Sequence, residues 1–243
     1  MKRKIVIYSG FNRAMLPQVG YNSSGIHNSL TKKWIKPRFE VWKKFTWQSI
    51  INQTYTNWVY CICCHPDKSA KAITDELFSC IVDPRFRLVY SETDQETFIM
   101  KDISKGFDEI VNVRVDSDDM YHPKAIQELS TVLAQTDSEW FLWRKGYCYQ
   151  YGDRGKMKTY EPNVSGPFFA KRYSRAEWIQ NGIIAIRMQH QKVRKLKPYI
   201  MLNNRILVGI TGKNTTTLFR YACFKRKIYE PEKTKILKEF KII

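Results

Sequence analysis

The chain has 243 residues and a formal net charge of +18, with 43% hydrophobic and 14% aromatic residues. This composition is typical of a folded protein with one sizeable core and argues against an intrinsically disordered chain. No run of about 18 apolar residues occurs to span a bilayer, and the apolar run after Met1 is too short for a signal peptide. The positive charge favours anionic partners such as nucleic acid, phosphorylated substrates or anionic lipid headgroups.

Strands and helices alternate along the first half of the sequence. Residues 4–9 predict a buried strand, and the polar stretch 11–31 predicts a long loop. Beyond the loop, the pattern predicts a helix up to about residue 57, strands at 58–64, 87–90 and 109–115, and helices at 68–80 and 93–105. A further helix is predicted from residue 120 to about 135, with Pro123 in its first turn. This alternation is typical of an α/β fold with a mostly parallel sheet and helices on both faces.

The second half has a different pattern. Residues 140–151 and 157–160 predict a hairpin around Gly152-Asp153-Arg154-Gly155, and no firm element is predicted beyond Phe168. We therefore expect a smaller mixed part after residue 135.

The cysteines have a plain interpretation. Three of the six, Cys61, Cys63 and Cys64, fall in one predicted strand, and no set of four ligands has zinc-finger spacing. Buried free thiols in a reducing compartment are the preferred interpretation, which predicts a cytoplasmic protein.

Three aspartates follow the strand predicted at 109–115, in Asp116-Ser117-Asp118-Asp119, called the aspartate segment below. Crowded carboxylates repel one another, and a hard divalent cation such as Mg²⁺ or Mn²⁺ relieves that repulsion. If the segment is extended, Asp116 and Asp118 share a face while Asp119 points the other way. Open α/β sheets bind ligands beyond the carboxyl ends of their strands, so this position favours a metal site over an acidic turn.

Two motifs resemble those of GT-A glycosyltransferases of the family 2 type. Residues 114–123, RVDSDDMYHP, resemble the strand-end motif of that family, and residues 49–58, SIINQTYTNW, resemble the end of its first helix. A closer similarity is to bacterial proteins assigned as rhamnosyltransferases, through Tyr21-Asn22, Arg38-Phe39-Glu40 and the aspartate segment. The resemblance covers about residues 1–135.

The resemblance implies a GT-A fold, with residues 1–135 as the nucleotide-sugar-binding half and residues 136–243 as the acceptor-binding half of the same domain. It implies a UDP-, GDP- or dTDP-sugar donor and a Mn²⁺ or Mg²⁺ ion. Asp118 and Asp119 would bind the metal, with His190 as a third candidate, and Asp116 would contact either the ribose or the metal. The implied donor-binding residues, which hold the ribose, base or diphosphate, are Ser9, Phe11, Asp67, Arg114 and Asp116.

An inverting enzyme needs a carboxylate that deprotonates the acceptor hydroxyl. The second half should supply it, and Asp153, Glu161 and Glu177 are the candidates. The expected acceptor is a glycan or a polyprenyl-diphosphate-linked glycan of bacterial surface polysaccharide synthesis. The basic charge adds an expected peripheral contact with the anionic inner face of the membrane.

Two other classes of function compete with this hypothesis. Clustered aspartates and a high pI also fit a metal-dependent nuclease or nucleotidyltransferase acting on nucleic acid, although such sites usually add a second acidic cluster. A basic binding module without catalysis is the third hypothesis. Since no RNA- or DNA-binding signature occurs, no specific nucleic acid partner is expected.

Overall fold

Two β-sheets with flanking helices make up the fold in this computed structural model. The structure describes residues 1–12, 29–90, 94–151, 155–161, 168–186, 198–210 and 224–243. None of the helices it describes is long and apolar enough to cross a membrane.

The central sheet has seven strands. Their order is β10-β6-β9-β4-β1-β2-β3. Strands β4, β1, β2 and β3 run parallel to one another, while β9 is antiparallel to both β4 and β6. The bounds are β1 Arg3–Gly10, β2 Trp58–Cys64, β3 Phe86–Tyr90, β4 Glu109–Arg114, β6 Trp140–Trp143, β9 Phe169–Ser174 and β10 Tyr199–Leu202. The first four match the predicted strands to within one residue.

Helices cover both faces of this sheet, which explains why its inner strands are almost continuously apolar. Within β1, Ile5 and Ile7 pack on one face and Val6 and Tyr8 on the other. The bounds of the helices are α1 Lys32–Trp42, followed by a π-helical turn Lys43–Trp47 and by α2 Gln48–Ile51, then α3 Lys68–Phe78, α4 Asp94–Ile103, α5 Ala125–Leu133, α6 Arg175–Ile186 and α7 Glu232–Glu239. Side chains of α1, α3 and α5 join the first face, and those of α4 and α6 join the second.

The second sheet is smaller and mixed, in the order β12-β8-β7-β11-β5. Its strands are β5 Met120–Tyr121, β7 Gly146–Gln150, β8 Lys156–Tyr160, β11 Ile206–Ile210 and β12 Phe224–Ile228. Helix α7 packs on one face of it through Ile236, Leu237 and Phe240. The predicted fold class, a mostly parallel α/β sheet with a smaller mixed part, is confirmed.

Strands from both predicted halves of the chain join the central sheet, since β6, β9 and β10 lie beside β4. The boundary at residue 135 therefore cuts through a shared sheet, and it stays a prediction.

Two predicted elements are corrected. The helix predicted from residue 120 begins at Ala125, because Met120 and Tyr121 pair instead with Leu207 and Ile206 of β11. The strand predicted at 140–151 is two strands, since β6 belongs to the central sheet and only β7 pairs with β8 as a hairpin. Most of the loop predicted at 11–31 lies outside the described residues.

Candidate active site

The aspartate segment lies at the edge of the central sheet where the parallel strands end. It follows β4, and the backbone N–H of Val115 still donates to the carbonyl of Tyr8 in β1 at 3.0 Å. Strand β2 runs parallel on the other side of β1. The ends of β4, β1 and β2 therefore meet at one edge, which is where open α/β sheets bind their ligands.

The segment is a turn and not an extended strand, which corrects the predicted arrangement of its side chains. The N–H of Asp119 donates to the carbonyl of Asp116 at 3.0 Å, which closes the turn. The Asp116 side chain is 37% exposed and that of Asp118 is 11% exposed, whereas Asp119 is buried. One carboxylate is thus open to a ligand, and two are buried behind it.

Arg38 of α1 binds the turn through hydrogen bonds to two of its side chains. Its Nη1 and Nη2 donate to the two oxygens of Asp118, both at 2.9 Å, and its Nε and Nη2 donate to Oγ of Ser117 at 3.0 and 2.9 Å. Arg38 is itself buried. A two-pronged guanidinium–carboxylate pair of this kind is strong and directional, so Arg38 fixes the orientation of Asp118.

Asp119 is fixed from the second sheet. Its Oδ1 accepts from the N–H of Gly209 in β11 at 3.0 Å. A methyl group built on Gly209 would lie 1.9 Å from the carbonyl oxygen of Asp118, so only glycine allows β11 to approach this closely.

The motif at residues 49–58 packs against the residues that follow the aspartate segment. Gln53 donates to the carbonyls of Ser49 and His122 at 2.8 and 3.0 Å, and its Oε1 accepts from the N–H of Ile126 at 3.0 Å. Gln53 thereby satisfies a free N–H at the start of α5. The π-helical turn adds Thr46, whose hydroxyl donates to the carbonyl of Asp116 at 3.4 Å.

Burial sets the acid–base properties of the turn. Burial raises the pKa of Asp118, and Arg38 opposes this rise without cancelling it. Burial and the charges of Asp118 and Asp116 raise the pKa of Asp119 well above its ordinary value. Because both folded-state pKa values are raised, the stability that the protonated forms contribute is lost as the pH rises through them. Ionising these two carboxyls therefore costs folding stability, and a bound cation would offset that cost.

Asp116 and Asp118 are the residues of the turn that could hold a divalent cation. Both carry carboxylate oxygens, which Mg²⁺ and Mn²⁺ prefer. Each oxygen of Asp118 accepts one hydrogen bond from Arg38. Within the described ranges, no group of three or more potential ligand side chains converges on one point. Mg²⁺ is commonly held by one or two carboxylates together with substrate phosphates, so two carboxylates suffice. Asp119, engaged by Gly209, is the weaker of the two predicted ligands.

Ser9 and Phe11 occupy the predicted edge, but their side chains pack inward. The hydroxyl of Ser9 accepts from Tyr60 at 2.8 Å, and Tyr60 accepts from Trp42 at 2.8 Å, so Ser9 ends a buried hydrogen-bonded chain. The ring of Phe11 is 5% exposed and contacts Phe78 edge to face. Any contact of these two residues with a ligand would involve mainly the backbone.

Arg114 and Asp67 lie on opposite sides of β1. Nε and Nη2 of Arg114 donate to Oδ1 of Asp116 at 3.2 and 3.1 Å, so Arg114 belongs to the site. Asp67 follows β2, two strands away, and its Oδ1 accepts from the N–H groups of Ser69 and Ala70 at 3.0 and 2.9 Å. Asp67 is thus the N-cap of α3, and a role in base recognition stays a prediction.

Two of the three candidate bases lie away from the aspartate segment. Glu177 forms a capping box with Ser174, which pairs with Glu109 at the start of β4, roughly 17 Å along the strand from its end. Hydrogen bonds from Ser174 lower the pKa of Glu177, which makes it a weaker base.

Glu161 is the second displaced candidate. It follows Tyr160, which pairs with Gly146, whereas Gly209 pairs with Tyr149 three residues further along β7. Its carboxylate lies 3.9 and 3.8 Å from Lys145 and Lys225. A role of Glu161 or Glu177 as the base stays a prediction. Asp153 and His190 lie outside the described residues.

Sequence reasoning missed Arg38 and Gly209 as site residues. The sequence points to Arg38 only through a family resemblance, and it assigns no role to Gly209. Both act on the turn across 80 or more positions of sequence. The usable signals were a lone arginine in the apolar pattern of α1 and a glycine inside an apolar strand.

No family model and no curated protein matches the chain. Among solved structures, residues 1–349 of S. aureus TarS in complex with UDP-GlcNAc match with a TM-score of 0.47 and 11% identity, over 99% of this chain and 71% of that one. The 4-diphosphocytidyl-2C-methyl-D-erythritol synthase of Anaerococcus prevotii matches with a TM-score of 0.41 and 11% identity, over 84% and 88%. HddC of Yersinia pseudotuberculosis matches with a TM-score of 0.38 and 8% identity, over 86% and 93%. At these similarities, the function has to be argued from the site itself.

Proposed function

We propose that this protein is a metal-dependent GT-A glycosyltransferase that moves a sugar from a nucleotide sugar to a glycan or lipid-linked glycan in bacterial surface polysaccharide synthesis. The observation that carries the proposal is the turn at the end of β4, with Asp116 exposed and Asp118 held by Arg38. It stands at the edge where β1 and β2 also end.

The residues in and around the turn would have different roles in donor binding. Asp116 and Asp118 would hold Mn²⁺ or Mg²⁺, which supplies charge neutralisation for the departing diphosphate when bound. Arg114, beside Asp116, is a half-buried cation that can share that negative charge. Arg38 and Gly209 fix the backbone and the carboxylates, so that the site is preorganised.

The nucleotide is expected next to the ends of β1 and β2. Asn12 joins these two ends, because its Oδ1 accepts from the N–H of His65 at 3.0 Å. Asp67 stands just beyond and stays the candidate for reading the base.

A thermal-shift panel of UDP-, GDP- and dTDP-sugars with Mn²⁺ tests this proposal. A true donor stabilises the fold by mass action, by about 2.7 kcal/mol at a hundredfold excess over its Kd. We expect at least one nucleotide sugar to raise the Tm, and to raise it less when EDTA replaces Mn²⁺. A rise with oligonucleotides and none with any sugar nucleotide would instead support the nuclease or nucleotidyltransferase hypothesis.

We take Asp153 as the first candidate for the catalytic base, because Glu161 lies between two lysines and hydrogen bonds lower the pKa of Glu177. Asp153→Asn should lower kcat by about 100-fold or more while donor affinity is unchanged, because general-base catalysis contributes about 10²–10⁴. Glu161→Gln and Glu177→Gln are the matched controls and should turn over donor at nearly the wild-type rate. Steady-state kinetics of sugar transfer checks this, and an unaffected Asp153→Asn enzyme would remove Asp153 from the mechanism.

The positive net charge of the protein supports an anionic acceptor and a location at the membrane surface. With a net charge of +18, the protein should attract acceptors that carry phosphate, such as a polyprenyl-diphosphate-linked glycan. Such an acceptor is anchored in a membrane, and a peripheral contact with anionic lipid would bring the enzyme to it.

A further inference from the structure

An open cavity of about 390 Å³ lies at the surface between the π-helical turn and the residues after α7. The residues that line it are Glu40, Lys43, Lys44, Gln48, Lys241 and Ile242. Three lysines against one glutamate leave the lining with two excess positive charges. Like charges that converge on one cavity repel one another unless an anion lies between them.

The lysines are held in place by neutral groups. Lys44 donates to the hydroxyl of Tyr151 at 3.1 Å and lies 4.4 Å from the centre of its ring. Lys241 donates to Oδ1 of Asn52 at 3.4 Å, and Lys43 lies 5.9 Å from the ring of Phe39. No described carboxylate forms an ion pair with any of the three. Their charge is therefore available to a ligand.

Lys241 adds an independent observation, because its backbone is strained. Its φ is 56°, in the left-handed region that favours glycine. It occupies the position after the end of α7 where glycine is usual, since Lys241 N–H donates to the carbonyl of Lys238 and Ile242 N–H to that of Leu237, both at 2.9 Å. Residues held in this strained conformation cluster at ligand-binding sites, which is consistent with a ligand beside Lys241.

We propose that this cavity is a phosphate-binding site, in which Lys43, Lys44 and Lys241 bind the phosphate or diphosphate group of an anionic ligand. Two sources carry that chemistry, namely a lipid headgroup at the membrane surface and a soluble phosphate. The site goes beyond the glycosyl transfer proposed above and does not depend on it. It is close to the turn in structure, because the same π-helical turn carries Lys43, Lys44 and Thr46, whose hydroxyl donates to the carbonyl of Asp116.

Lys241→Gly separates an effect on anion binding from an effect on stability, because the affinity for the anion should fall while the Tm rises. Glycine relieves the left-handed strain, so the Tm should rise by about 2–4 °C. Loss of the ammonium group should weaken pyrophosphate binding about fivefold in isothermal titration calorimetry. A lysine with a merely structural role would not give a more stable protein that binds the anion less well.

Lys44→Gln should weaken pyrophosphate binding to a similar extent. Lys235→Gln is its matched control, since Lys235 is exposed on α7 and does not line the cavity, and it should weaken binding by less than about twofold. Equal weakening by Lys44→Gln and Lys235→Gln, or unchanged binding by Lys241→Gly, would overturn the proposal in favour of diffuse charge attraction.

Vesicle sedimentation distinguishes the two sources of phosphate. Phosphatidylcholine vesicles with and without phosphatidylglycerol are compared for the wild-type, Lys241→Gly and Lys235→Gln proteins. Sedimentation that requires phosphatidylglycerol and Lys241 supports the site with a lipid headgroup as ligand. If pyrophosphate binding requires Lys241 but sedimentation with vesicles does not, the result supports the site with a soluble phosphate as ligand. Neither assay includes a sugar donor, so failure here leaves the glycosyltransferase proposal standing.

Discussion

Replacing Arg38 by methionine should destabilise the fold by about 3–5 kcal/mol, because it leaves the buried carboxylate of Asp118 without its partner. Both guanidinium prongs and the two hydrogen bonds to Ser117 are lost together. Urea unfolding at neutral pH measures the loss as a lower midpoint at an unchanged m-value.

Arg114→Met is the matched control for this experiment. Arg114 pairs with Asp116 of the same turn, but the pair is partly exposed, so its loss should cost less than about 1 kcal/mol. The double variant Arg38→Met with Asp118→Asn should lose less unfolding free energy than the two single variants lose in sum, because neither buried charge is then left unpaired. An Arg38→Met protein as stable as Arg114→Met would show that the pair does not organise the turn.

Gly209→Ala should be the second large effect, with a loss of about 3 kcal/mol or more. The added methyl would lie 1.9 Å from the carbonyl oxygen of Asp118, so β11 or the turn has to move. The same movement breaks the hydrogen bond from Gly209 N–H to Asp119. Thermal unfolding measures the stability, and Mn²⁺-dependent binding of the donor should weaken in parallel.

Gly10→Ala provides the comparison for Gly209→Ala. Gly10 ends β1 at the same edge of the sheet, and a methyl built on it meets nothing within 4 Å. Its unfolding free energy should stay within about 1 kcal/mol of the wild type. If both glycine variants are equally stable, the close approach of β11 is not what fixes the turn.

Much of the first half of the fold could be predicted from local pattern. The strands β1, β2, β3 and β4 are short apolar runs between clear breaks, and a strand buried on both faces needs no other signal. The place of the aspartate segment followed from the same pattern, because it comes directly after β4.

The parts that escaped prediction depend on contacts between distant residues. Met120 and Tyr121 read as the start of a helix, yet they form a strand because β11 pairs with them. The aspartate segment was expected to be extended, because its contacts with Arg38 and Gly209 come from residues distant in sequence. Glu177 reads as a free carboxylate, although Ser-x-x-Glu before an apolar helix is a capping-box pattern and was visible in the sequence.

The structure also changes which aspartate should be mutated to test the metal. Asp118 both orients the site and neutralises a buried arginine, so Asp118→Asn combines a loss of binding with a loss of stability. Asp116 is the better choice, because its side chain is partly exposed and its pair with Arg114 contributes little to folding.

The most direct test is therefore calorimetric titration of Asp116→Asn with the nucleotide sugar that stabilises the wild-type protein, in the presence and absence of Mn²⁺. We expect the wild type to bind the donor in a Mn²⁺-dependent way. Asp116→Asn should lose at least about tenfold in affinity while its unfolding free energy changes by less than about 1 kcal/mol. Donor binding of unchanged affinity and unchanged Mn²⁺ dependence in Asp116→Asn would contradict the assignment of the turn as the metal and donor site.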